Sequence, residues 1–218
     1  MPDQNQKKAT SLTPQVVTLV IDDSGSMRDQ DKCKIVTAGI QDLVIDLQAM
    51  NQGGRGTRFV VSIAKFGTGV DPLYEATFPH EINLERLKFD ASSGGTQMNL
   101  ALEWAARATV AAIRRCHETP GYDEARSPNP LVVILSDGQT GEDVSANAGI
   151  LKSLPFTDGR VDVVAVGIAM EAADFPVMSK IASADDLSGN IPVTELSRFL
   201  AQVSQTLVSG AAPEDILR

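Results

Sequence analysis

VVTLVIDDSGSM, residues 16–27, decides how the rest of the chain is read. Residues 16–21 form a continuous run of β-branched and aliphatic side chains, the pattern of a strand covered on both faces. The run ends in two acids, a hydroxyl, a glycine and a second hydroxyl. Acids at a strand end can hold a metal, accept a phosphoryl group, or simply stop the strand. The neighbouring segments decide among these.

Downstream the period changes from strand to helix. Val36, Ile40, Leu43, Leu47 and Met50 are spaced 4, 3, 4 and 3, which lines one helical face over 31–51. GGRG at 53–56 predicts its end. RFVVSIAKF (58–66) reads as a second strand, and 73–78 as a short edge strand. Residues 80–95 are mixed, with a turn of helix around 84–87. Leu102, Ala105, Ala106, Thr109, Val110, Ile113 and Cys116 mark another helix. After a polar, proline-bearing loop (117–130), strands are predicted at 131–136, 161–168 and 191–193, and helices at 144–153 and 174–183. Leu196, Phe199, Leu200, Val203 and Leu207 line a last helix.

Apolar strands alternating with amphipathic helices predict an α/β fold. It is a doubly wound, mostly parallel central sheet with helices on both faces and one short antiparallel edge strand. No linker divides it, so one domain is expected over 15–208. A flexible N-terminal tail (1–14) and a C-terminal tail (209–218) flank it.

Composition narrows the function. The 218 residues are 43% hydrophobic and 22% charged, ordinary for a globular domain, with net charge −9. An acidic surface repels phosphate backbones, so nucleic acid is a poor partner. The longest aliphatic run, LVVIL at 131–135, is far short of the roughly 20 residues of a membrane helix, so no membrane insertion is expected. The N-terminus lacks an apolar signal-peptide core. The two cysteines, Cys33 and Cys116, have neither zinc-site spacing nor the density of a disulfide framework. Both read as free thiols of a cytoplasmic protein.

In open α/β sheets ligands sit beyond the carboxyl ends of the strands. Three loops there carry chemistry: Asp22-Asp23-Ser24-Gly25-Ser26, Gly94-Gly95-Thr96 and Ser136-Asp137-Gly138. Taken singly, each has a plain structural reading. Ser26 and Thr96 can cap helices, and Asp137-Gly138 can be a turn. Taken together, they bring two carboxylates and three hydroxyls to one sheet edge, without histidine or cysteine. Such hard oxygen donors suit Mg²⁺, Mn²⁺ or Ca²⁺ rather than zinc or copper.

DDSGSM, GGT and SDG resemble, in order, the DxSxS, threonine and aspartate elements of the von Willebrand factor A domain, the integrin I-like fold. The resemblance covers about 14–208. It implies a metal-ion-dependent adhesion site made of Asp22, Ser24, Ser26, Thr96 and Asp137, directly or through water. It also implies a partner protein that supplies an Asp or Glu to the ion. Oligomeric state is not implied. The chain looks most like compact bacterial members, the TerY-like proteins of tellurite-resistance and stress-response gene clusters. In the family the position of Asp23 is variable, and here it reads as a solvated or supporting acid.

Rival readings fit less well. A receiver domain places its phosphoacceptor after a third strand, in roughly 120 residues; Asp137 is too distant. Haloacid-dehalogenase phosphatases need an acid where Ser24 stands. A phosphate loop needs a lysine or a glycine pattern that Ser24-Gly25-Ser26-Met27 lacks. His80 and His117 stand outside any nucleophile motif, so no catalytic residues are assigned. The alternative kept open is a divalent-metal enzyme acting on a phosphorylated substrate. Trp104 is expected half buried on its helix, and Met27 and Met98 either line the rim of the site or pack the loops.

Overall fold

The computed structural model describes residues 7–51, 58–138, 140–155 and 160–218. Residues 1–6 of the expected tail and the GGRG helix stop therefore lie outside the described residues. Six strands form one sheet: β1 (Gln15–Asp22), β2 (Phe59–Phe66), β3 (Val70–Thr77), β4 (Leu131–Ser136), β5 (Asp162–Ile168) and β6 (Ser188–Ile191). Their order is β3-β2-β1-β4-β5-β6. All pairings are parallel except β2 with β3. This is the expected doubly wound sheet with an antiparallel edge.

The central strands are what the run VVTLVI predicts. Every residue of β1 from Val16 to Asp22 is buried, as is all of β4. Helices α1 (Lys32–Asn51), α2 (Met98–His117), α3 (Ser145–Lys152), α4 (Pro176–Ile181) and α5 (Leu196–Ser209) cover it. α1 packs against α5, whereas α2 packs against α3 and α3 against α4. Right-handed crossovers running outward from β1 in opposite directions put these two groups on opposite faces. Gly39 lets α5 approach α1, because a Cβ there would sit 2.9 Å from Leu200 Cβ. A Ser204 hydroxyl donating to Asp46 (2.6 Å) ties the same helices. On the other face the buried hydroxyls of Thr18 and Thr109, 2.9 Å apart, tie β1 to α2.

Several expectations need correction. The edge strand begins at Val70, earlier than the predicted 73, and pairs through register shifts opposite Ile63. The last strand is Ser188–Ile191, ahead of the predicted 191–193, and its SGNI sequence offers no apolar signal. The C-terminal residues, expected as a tail, turn back as a 3-10 segment (Pro213–Leu217) that buries Ile216 beside α5. Thr13, expected in a loose tail, is buried and bonded to Thr10 and to the Lys8 carbonyl. Trp104 is 2% exposed rather than half buried.

The strand order reverses at β1. Its chain neighbour β2 lies on one side, and β4, reached only after α2, lies on the other. The carboxyl ends of β1 and β4 therefore flank the topological switch point, where such sheets bind ligands.

Candidate functional site

Asp22 ends β1 and Asp137 follows β4 directly. In the β1–β4 register Ile21 stands beside Leu135, so Asp22 meets Ser136. Asp22 is fully buried. Its Oδ2 accepts the Ser136 hydroxyl at 2.5 Å and its Oδ1 the Ser24 amide at 2.8 Å. Burial dominates these hydrogen bonds and raises its pKa from 3.8 to about 6, with the charge of Asp137 adding to the rise.

The remaining predicted donors converge here. Ser24 Oγ lies 3.0 Å from Ser26 Oγ. Ser26 donates to Asp137 Oδ1 at 2.6 Å. A Cβ placed on Gly138 would run into the Thr96 hydroxyl and lie 3.2 Å from Asp22 Oδ2, so those two groups crowd the same small volume. That position requires glycine because of close approach. The structure thus brings together Asp22, Ser24, Ser26, Thr96 and Asp137 from three loops.

Ser26 and Thr96, the residues expected as caps, do not stand at the N-cap positions. Those fall to Ser24 and Gln97, and neither makes a side-chain cap hydrogen bond. The Ser26 hydroxyl goes to Ser24 and Asp137. The α2 amide of Asn99 is instead satisfied by the Glu142 carboxylate at 3.0 Å, from the loop beyond Gly138. Among the described residues, the Thr96 hydroxyl is engaged in no hydrogen bond, which leaves it available as a ligand.

Asp23 is buried, so of its two expected readings the supporting acid holds and the solvated one does not. Its Oδ1 accepts the amides of Asp90 and Ala91 (2.9 and 2.8 Å), its Oδ2 accepts the Ser92 hydroxyl at 3.2 Å, and Lys65 lies 3.4 Å away. Asp23 thereby fastens the segment leading to Thr96, helped by a short parallel bridge between Ser24 and Ser93. Ser136 orients Asp22. Lys32 Nζ sits 2.5 Å from Asp137 Oδ2. The SD dipeptide was visible, but nothing local marks Lys32, 105 positions from its partner. Met27 and Met98 are fully buried and pack the loops instead of lining a rim. His80 stacks on Phe78, and His117 pairs with Glu124 at 3.3 Å.

The donor set fits a hard dication. Two carboxylates and three hydroxyls, of which that of Ser26 is on an exposed residue, provide oxygen ligands only, and magnesium commonly keeps waters beside one or two carboxylates. Among the described residues, no three His, Cys, Asp or Glu side chains gather as a metal cluster.

Fold and site together define a class of protein: open α/β domains that gather hydroxyls and carboxylates at the switch point of the sheet. The chain matches the family model of the von Willebrand factor type A domain over residues 17–206, and it belongs to that family. Its fold is similar to that of proximal thread matrix protein 1 from the mussel byssus, in a structure with a zinc-occupied MIDAS motif. That match has 17% identity and TM-score 0.65, covering 93% of this chain and 49% of that one. It is also similar to the pilus adhesin SpaC from Lactobacillus rhamnosus GG (15%, TM-score 0.68, 93% and 31%). The vWF domain of the type V pili tip protein Mfa5 from Porphyromonas gingivalis is similar in fold and in length (10%, TM-score 0.68, 92% and 97%). The chain thus spans about half of the byssus protein and a third of SpaC. None of the curated proteins matches the sequence. Among the described residues no helix is long and apolar enough to cross a membrane.

Proposed function

We propose that the chain is a metal-dependent protein-interaction module. Asp22, Ser24, Ser26, Thr96 and Asp137 hold one divalent ion, directly or through water, and an Asp or Glu of a partner protein completes its shell. Magnesium is the first candidate, with Mn²⁺ and Ca²⁺ close in chemistry. One observation carries the reading. Ser24 and Ser26 of the first loop turn toward each other, Ser26 donates to Asp137 and Ser136 to Asp22. The Thr96 hydroxyl crowds the same volume beside Gly138, without a hydrogen bond of its own among the described residues.

Charge explains what such a site does. Asp22 and Asp137 bring two negative charges and Lys32 one positive, and the serine and threonine hydroxyls bring none. A dication added to this set leaves net positive charge at an accessible edge, and an incoming carboxylate balances it. The chain as a whole carries −9, so only the loaded site attracts an acid.

The narrower form of the proposal places the module in a bacterial cytoplasmic stress-response assembly of the tellurite-resistance type. Its support is the resemblance of the sequence to TerY-like members and the two free thiols. The pilus adhesin and the byssus matrix protein of similar fold support the fold alone. The reading assigns no catalytic residue. An enzyme acting on a phosphorylated substrate gains no specific observation here.

Affinity capture from the native cell, with Mg²⁺ against chelator, tests the proposal. A partner lost in chelator and lost with Asp137→Ala is the expected result. A complex that survives both sinks the reading.

A further inference from the structure

Lys32 is the first residue of α1, and three local circumstances argue against a lysine there. A cation at a helix N-terminus opposes the helix dipole. The ammonium is nearly buried, with a side chain only 10% exposed, and burying a charge is costly unless it is paired. The turn that aims it inward holds two successive non-glycine residues, Gln30 (φ 54°) and Asp31 (φ 58°), in the left-handed region that L residues rarely adopt. Lys34, two positions on, shows the ordinary alternative. Its side chain is 77% exposed and pairs with Asp31 at the surface.

All three are answered by one contact. Lys32 Nζ lies 2.5 Å from Oδ2 of Asp137, whose side chain is wholly covered. The other oxygen, Oδ1, takes the Ser26 hydroxyl. Both oxygens of one of the two carboxylates in the site are therefore in use, one of them by a cation belonging to the chain itself. A dication that uses Asp137 must share it with, or take it from, that ammonium.

We propose that Lys32 is a built-in competitor of the metal, which keeps the affinity of the site for a free divalent ion low. The inference rests on the metal reading of the site. The two cations would meet across one carboxylate, within a few ångströms of each other. Even at the dielectric of bulk water, a unit charge about 5 Å from a dication changes affinity by about tenfold, and a covered site screens less. Lys32 also keeps the loops drawn together through Asp137 without requiring bound metal.

Calorimetric titration of the full chain with MnCl₂ and MgCl₂, after stripping with chelator, tests this. The variants are Lys32→Met, which removes the charge at similar size, and Lys32→Arg, which keeps it. The expected result is metal binding at least about tenfold tighter in Lys32→Met, with Lys32→Arg close to wild type. Binding by Lys32→Met where wild type shows none is the same result in stronger form. Wild type and Lys32→Met binding equally well would overturn the inference and leave the metal site standing. Failure of every form to bind at millimolar metal would remove the metal reading and the inference with it. Should Lys32→Met not fold, the ¹⁵N signal of the Lys32 ammonium in wild type decides. It should shift as Mg²⁺ is added, and a signal unmoved at saturating metal overturns the proposal.

Discussion

Replacing Asp22 with Asn separates what the site costs from what it does. Asp22 is fully buried, and burial lifts its carboxyl pKa from 3.8 to about 6. A folded-state pKa above the unfolded one means that the fold binds the proton more tightly. Stability is therefore highest where Asp22 is protonated in both states, below about pH 4, and is lost as pH rises toward 6. A rise of about two units corresponds to about 3 kcal/mol of destabilisation at pH 7 and above. Asn carries no charge to desolvate. Its oxygen can still accept the Ser24 amide and its NH₂ can donate to Ser136, so the hydrogen bonds made at 2.8 and 2.5 Å have replacements. Weakening of those bonds offsets about 1 kcal/mol of the gain.

The expected outcome in chelator is that Asp22→Asn is about 1–2 kcal/mol more stable than wild type at pH 8 and loses this advantage by pH 4. Urea unfolding of both proteins across that range measures it. The difference between them cancels the other titrating carboxylates, such as Asp90 and Asp143, whose pKa values are shifted downward. With Mg²⁺ at about a hundred times its Kd, wild type alone gains about 2.7 kcal/mol by linkage, and the order of stability reverses. A variant that is less stable than wild type at pH 8 in chelator, by the same amount as at pH 4, would refute the burial argument.

Other substitutions test the supporting parts. Gly138→Ala drives a Cβ into the Thr96 hydroxyl and toward Asp22; it should cost about 1–3 kcal/mol in urea unfolding and abolish the calorimetric metal signal. Asp23→Ala strips the partner from the Asp90 and Ala91 amides; a loss of about 2–3 kcal/mol is expected by thermal or urea unfolding, whereas the exposed Asp90→Ala should cost under about 1 kcal/mol. Thr96→Ala should weaken metal-dependent partner binding with little change in Tm, and Thr96→Asp should weaken it more by supplying the charge a partner would bring; surface-bound partner measured with and without chelator reads both. Thiol titration without reductant should find two thiols in the unfolded chain, while in the native protein Cys116, pushed up to about 12 by burial, stays unreactive at neutral pH.

How much of the site could be read before the structure follows from the range of the signals. That Asp22, Ser24, Ser26, Thr96 and Asp137 come together was legible because each lies in a loop whose residue types declare it, beside a strand that the apolar pattern declares. The alternation of strands and helices was equally legible, since buried parallel strands such as LVVIL carry their own hydrophobic run. β6 was misplaced because Ser188, Gly189 and Asn190 have no such run; the strand exists only by pairing with β5. The partners of the supporting residues were not legible for a related reason, and register is the missing information. Once Ile21 stands beside Leu135, Ser136 must meet Asp22. Asp23, one residue further along the same alternation, points to the other face and meets the Phe89–Ser93 segment. One register assignment would have yielded both. It would not have yielded Lys32. Its path to Asp137 runs through a turn with two successive left-handed residues, Gln30 and Asp31, and Gln30 is not a residue type that advertises that conformation. Such strain is held only where the surroundings over-determine it. On the role proposed for Lys32, a lysine drawn into a metal-type site through a strained turn would set how tightly the site holds an ion, and neither the motif nor the fold specifies that strength.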